Sequence, residues 1–176
     1  MRRILLSCAT VAVLVLPAAA SAGARASASP GFLVVKKAAG DGGVQGLPVV
    51  TVVVHGFVLG SVSPKVEALV DVYQLPSAAG NGAPQAVGAD LTSNLVRWRG
   101  FKGHEYSGSG FRFRATGGDY RVVVRGSGVY LFAGGNGSVR LRGSSVYPNA
   151  DGTYSIDGRP WLSLPTQPLS IPIGGG

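Results

Sequence analysis

The sequence predicts an all-β fold: a single antiparallel β-sandwich or barrel-like domain, with a short β-solenoid as the lesser alternative, preceded by a helical signal peptide. Three observations carry this. Apolar and basic residues alternate through Phe111-Arg112-Phe113-Arg114, Tyr120-Arg121-Val122-Val123-Val124-Arg125 and Val139-Arg140-Leu141-Arg142. Successive strand side chains point to opposite faces, so this spelling buries one face of a sheet and lines the other with guanidinium groups. Glycine supplies 28 of 176 residues, about twice its usual share of ~7%, and gathers with Asn, Asp and Ser in the manner of turns. Short β-branched or aromatic runs stand between those groups, as strands separated by hairpin turns do.

The elements follow in order. Met1-Arg2-Arg3 is basic, Ile4 to Leu16 is largely apolar, and Pro17 to Ala22 is small, the order of a secretory signal peptide. That apolar run is shorter than the ~20 residues of a permanent membrane helix, so a leader over 1–22, cut after Ala20-Ser21-Ala22, is expected. Leu5-Leu6-Ser7-Cys8 resembles a lipobox, but the apolar run continues past Cys8. Residues 23–30 read as a flexible leader and 31–164 as the β domain. Phe32 to Lys37 reads as the first strand. Val49 to Val54, closed by His55-Gly56 and resumed by Phe57-Val58-Leu59, reads as a strand with a glycine kink or bulge.

Lys65 to Tyr73 fits both a helical stripe and strict alternation, and its valines favour the strand. Pro76 to Gly88 is a Gly/Ala/Pro/Asn loop. Beyond Val96 an antiparallel meander is expected, with turns at Gly117-Gly118-Asp119, Gly126-Ser127-Gly128, Gly134-Gly135-Asn136-Gly137, Asp151-Gly152 and Asp157-Gly158. Residues 165–176 form an extended Pro/Gly tail. Its Leu164-Pro165-Thr166-Gln167-Pro168 lacks the Thr-Gly, apolar and basic parts of a wall-sorting signal.

Cys8 is the only cysteine, so the domain must be held by its core rather than by disulfides. Arginine outnumbers lysine 12 to 4 in a chain rich in Ala, Gly and Pro, which suggests a GC-rich bacterial gene. The expected mature chain carries +6, and the segment from Arg97 to Arg142 alone holds nine basic residues against Glu105 and Asp119. The candidate anion-binding residues are Arg97, Trp98, Arg99, Lys102, Arg112, Arg114, Arg121, Arg125, Arg140 and Arg142. Arginine forks match phosphate and carboxylate oxygens, and aromatics interleaved with them can stack on sugars or settle at a lipid interface. Teichoic-acid-like surface polymers, polyanionic glycans and acidic lipid headgroups are the expected partners, with nucleic acid a weaker match. An exposed sheet face must be polar in any case, and charged residues discourage edge-to-edge aggregation, so the same arginines also suit a purely structural or protein-docking domain.

No motif points to catalysis. Tyr106-Ser107-Gly108-Ser109-Gly110 lacks the first glycine of a nucleophile elbow. His104 and Glu105 are adjacent and would face opposite sides of a strand, and His55 reads as a strand-end residue with a hydrogen bond. Two histidines give no zinc pattern, and neither a phosphate loop nor a dinucleotide fingerprint occurs, so no cofactor is expected. A hydrolase with a spatially assembled carboxylate pair is the least supported class.

The stretches Phe111-Arg112-Phe113, Gly117-Gly118-Asp119-Tyr120-Arg121-Val122-Val123-Val124 and Gly152-Thr153-Tyr154-Ser155-Ile156-Asp157-Gly158 resemble exported bacterial β proteins of about this length that have no assigned activity. The resemblance implies export and an all-β fold, and it carries no site. The expected location is the cell envelope or the medium.

Overall fold

The computed structural model describes residues 29–36, 49–76, 81–143 and 152–175. The expected signal peptide, residues 23–28 of the expected leader and Asp151 of the expected turn lie outside the described residues. The strands are β1 (Gly31–Lys36), β2 (Val50–Val62), β3 (Ala68–Gln74), β4 (Gln85–Val87), β5 (Thr92–Trp98), β6 (Phe101–Gly108), β7 (Arg112–Gly126), β8 (Val129–Leu141), β9 (Thr153–Ile156), β10 (Leu162–Ser163) and β11 (Leu169–Ile173). The all-β expectation holds, and no helix occurs among the described residues.

One open sheet runs in the order β10-β9-β1-β8-β2-β7-β3-β6-β5, with β11 also on β8 and β4 also on β7. All its pairings are antiparallel. That corrects the solenoid alternative, whose coils stack strands in parallel. The long strands β2, β7 and β8 form the centre because their inward positions are almost all Val, Leu, Ala or aromatic. Val52, Val54, Val58, Val122, Val124, Leu131 and Leu141 join Phe111, Tyr120 and residues of the flanking strands in a single buried cluster. Each fully buried Val or Leu contributes about 1.5–3 kcal/mol relative to exposure, so this face fixes which way every strand turns.

Two expected turns are strand interior. Gly117-Gly118-Asp119 lies in the middle of β7, where the register against β2 slips between Gly56 and Phe57: Gly56 pairs Gly118 and Phe57 pairs Thr116. Gly117 is the extra residue of a β-bulge, and its φ of 73° is left-handed, where a side chain would be strained. Gly134 to Gly137 lies inside β8 because it pairs along β2 at close approach: a Cβ on Gly134 would fall 2.5 Å from the Phe57 ring, and one on Gly135 or Gly137 would meet the β2 backbone at His55 or Val53. Gly126-Ser127-Gly128 is a turn but not the expected hairpin of a meander, because β2 lies between the β7 and β8 that it joins; the turn at Asp157-Gly158 stands as expected, both residues having positive φ.

Of the loop expected over 76–88, residues 81–88 contain β4 and are tied down beside it, while 77–80 lie outside the described residues. Asn81 donates Nδ2 to Leu75 O (2.7 Å) and accepts from the Asp119 amide (2.8 Å), while the Tyr120 hydroxyl donates toward Gly82 O (2.5 Å) and Thr116 O (2.8 Å). The sheet also extends past 164. In the tail β11 pairs with β8, and Ile173 is fully buried.

Candidate anion-binding face

The bulge decides which side chains reach the solvent side. Before it, Arg112, Arg114 and Thr116 face outward while Phe113 and Ala115 are buried. After it, the parity has changed, so that Asp119, Arg121, Val123 and Arg125 lie on the outer side, Val123 itself buried there, while Tyr120, Val122 and Val124 face the core. One inserted glycine thus keeps all four β7 arginines on the side of the sheet away from the core. Thr51 of β2 lies between Val123 and Arg140, which puts Arg140 on the same face, and Arg142 continues that parity beyond β8.

The face has levels that can be read along β2. Thr51 is flanked by Val123 and Arg140, Val53 by Arg121 and Ser138, His55 by Asp119 and Asn136, Leu59 by Arg114 and Phe132, and Ser61 by Arg112 and Tyr130. The arginines therefore form two zones, with the nearest members six β2 residues apart and a sharp bend of β2 between them, since Val49 and Ser63 at its two ends bond to Val124 and Gly128, only four residues apart in the chain. His55 and Asp119 bridge the gap, with Nδ1 to Oδ1 at 3.0 Å. His55 is thus a mid-strand residue rather than a strand-end one, and Asp119 is its strand partner rather than a turn residue.

The individual arginines differ. Arg125 donates to Asp71 at 2.5 Å, and Asp71 is only 3% exposed, so the charge of this half-buried guanidinium is offset by a buried carboxylate. The second carboxylate oxygen of Asp71 is buried with no hydrogen-bond partner. Arg114 donates from Nε (2.9 Å) and Nη2 (2.6 Å) to the Gln85 amide oxygen, which orients it without cancelling its charge. Arg121 stacks on Trp98 with 4.2 Å from its Cζ to the ring centroid, and Trp98 packs on Tyr73 and Phe101. Burial holds the Arg121 pKa below its ordinary value, and the nearby Arg99 and Arg125 charges add to that. Its Nε is buried without a partner. Among the described residues, no carboxylate lies within ion-pair distance of Arg112, Arg114, Arg121, Arg140 or Arg142.

The remaining candidates divide. Arg99 occupies the tight β5–β6 turn with φ of 46° and stacks on Trp98 at 5.0 Å, so the indole already carries two guanidinium contacts. Arg97 and Lys102 are direct cross-strand partners. They share the parity of His104 and Tyr106, so they point to the other side of the sheet from Trp98. His104 stacks on Tyr106, with ring centroids 5.9 Å apart, while Glu105 stands opposite Asp71 on the arginine side. His55 and Asp119 are joined by no further acidic or histidine side chain that would make a metal cluster among the described residues.

An aromatic group on the same face went unread in the sequence. Phe32 stacks on Phe132 (5.9 Å), Phe57 meets Phe132 edge-on (5.3 Å), and Lys36 sits over the Trp161 ring (4.4 Å) beside Tyr130. Phe32, Leu59, Tyr130 and Trp161 are exposed. Phe57 and Leu59 alternate with buried Val58, a weak signal that gained meaning only when β1 and β8 were placed beside them. Comparison with protein-family models, curated proteins and solved structures finds no match to this chain.

Proposed function

We propose that this chain is an exported, non-catalytic bacterial β domain of the envelope or medium that binds anionic surface polymers through the outer face of its sheet. In its finer architecture the sheet curls over its apolar face into a sandwich or barrel-like body, which is how one sheet covers the core cluster. The observation that carries the reading is five arginines on the outer side of the sheet, in two zones, with no paired carboxylate among the described residues. Two separated basic zones suit a ligand that repeats its charge, and a teichoic-acid-like polymer or polyanionic glycan does so. The expected result is salt-sensitive retention on a heparin-like or teichoic-acid matrix, lost in Arg112→Glu/Arg114→Glu/Arg121→Glu. Unchanged retention in that variant sinks the reading.

The exposed aromatic group favours a second reading, a protein-docking domain whose contact is Phe32, Leu59, Tyr130 and Trp161. It predicts salt-insensitive capture of one partner, abolished by Tyr130→Ala/Trp161→Ala.

A further inference from the structure

Within the first basic zone, Arg121, Arg140 and Arg142 line a single cleft of about 400 Å³. Thr51 and Val53 of β2 form its floor, and Ser138 and Ser170 complete its polar lining. The topology brings these groups together from four strands: β7 gives Arg121, β8 gives Ser138 and Arg140, and β11 lies along β8 so that Ser170 pairs with Arg140. The Arg142 amide donates to Val49 O at 2.8 Å, which fixes the backbone at the end of β8. No acidic residue lines the cleft among the described residues.

We propose that this cleft binds a tetrahedral oxyanion, phosphoryl or sulfuryl, carried on a larger molecule; the inference rests on the anionic-face reading and names its ligand chemistry. A carboxylate has two coplanar oxygens, which a single guanidinium fork satisfies. Three arginines and three hydroxyls approaching from different strands instead supply donors in several directions, as the oxygens of a tetrahedral anion require. Burial of the Arg121 Nε without a partner leaves a desolvated charge at the cleft wall, and a bound anion offsets that cost. Trp98 holds the same guanidinium in place by stacking. The cleft volume lies in the range that admits a small organic molecule, so the group attached to the oxyanion enters with it.

The test is an amide NMR titration of the full chain with inorganic phosphate, repeated with sulfate and with acetate. Saturable shifts at Thr51, Ser138 and Ser170 with phosphate or sulfate, absent with acetate, are expected. Arg140→Gln/Arg142→Gln should weaken them by about tenfold or more, since each charge-assisted hydrogen bond lost is worth roughly that factor. Ser138→Ala/Ser170→Ala provides a milder variant should the first fold poorly, with about a fivefold loss. Lys65→Gln/Arg159→Gln removes equal charge elsewhere and should leave the titration unchanged. Shifts that are diffuse, equal with acetate, or indifferent to the arginine pair overturn the proposal. Displacement of phosphate by soluble poly(glycerol phosphate) assigns the source to a polymer, by phosphatidic acid vesicles to a lipid headgroup, and by sulfated glycan to a sulfate ester. If the titration fails while matrix retention survives, the cleft assignment falls and the face reading stands. If retention is also absent, both fall.

Discussion

Asp71 and Arg125 show what a single residue pair does to the charge pattern. Asp71 shares the outer parity of β3 with Leu69 and Tyr73 and is only 3% exposed, lying beside Val123 and paired with Arg125. Removing Arg125 would leave an uncompensated buried carboxylate, at a cost of about 3–5 kcal/mol, whereas replacing both partners by apolar groups of similar volume costs little or stabilises. Denaturant melts of Arg125→Leu, Asp71→Leu and the double variant should therefore show a large loss in the first and recovery in the third. Additive losses would mean that the pair does not act as a unit. The basic alternation of β7 was legible from the sequence, since it needs only the period of a strand. The pairing of Arg125 was not, because its partner lies 54 residues away and the register that joins them is set by packing.

At the scale of the strand, Gly117 governs more than its neighbours. The apolar alternation of Phe113 and Ala115 is out of phase with that of Tyr120, Val122 and Val124, and a continuous strand could satisfy only one half. The sequence shows this phase break, and a glycine pair standing in it reads equally well as a hairpin turn or a bulge. The choice is made by β2, which runs past both halves and pairs with each. Glycine-rich β8 poses the same ambiguity and is resolved by the same strand, together with the Phe57 ring at Gly134. Deleting Gly117 should force one half of β7 to turn its arginines into the core, so cooperative unfolding or loss of a folded amide spectrum is expected. Gly117→Val keeps the residue count and costs only backbone strain, about 1–2 kcal/mol. A well-folded deletion variant as stable as the parent would show that the bulge does not set the phase.

Across the whole molecule the solvent side of the sheet is divided rather than uniform. Arg112 and Arg114 lie beside the aromatic group, Arg121, Arg140 and Arg142 lie at the other end of β2, and the His55–Asp119 pair stands between them. Sequence order gave no hint of this division, because Arg114 and Arg121 are seven positions apart while Arg121 and Arg140 come together only through β2. A polymer long enough to pass around the bend of β2 can engage both zones, and its second contact is then intramolecular and gains from a high effective concentration. A shorter oligomer can occupy only one. Affinity for oligomers of graded length should therefore rise steeply once the chain spans the gap. Charge reversal at Arg112 and Arg114 should abolish that step while sparing the binding of short oligomers that use the cleft. A smooth rise with length, unaltered by that reversal, would mean that the two zones act as one diffuse field, whose attraction ~0.15 M salt would largely screen beyond ~8 Å.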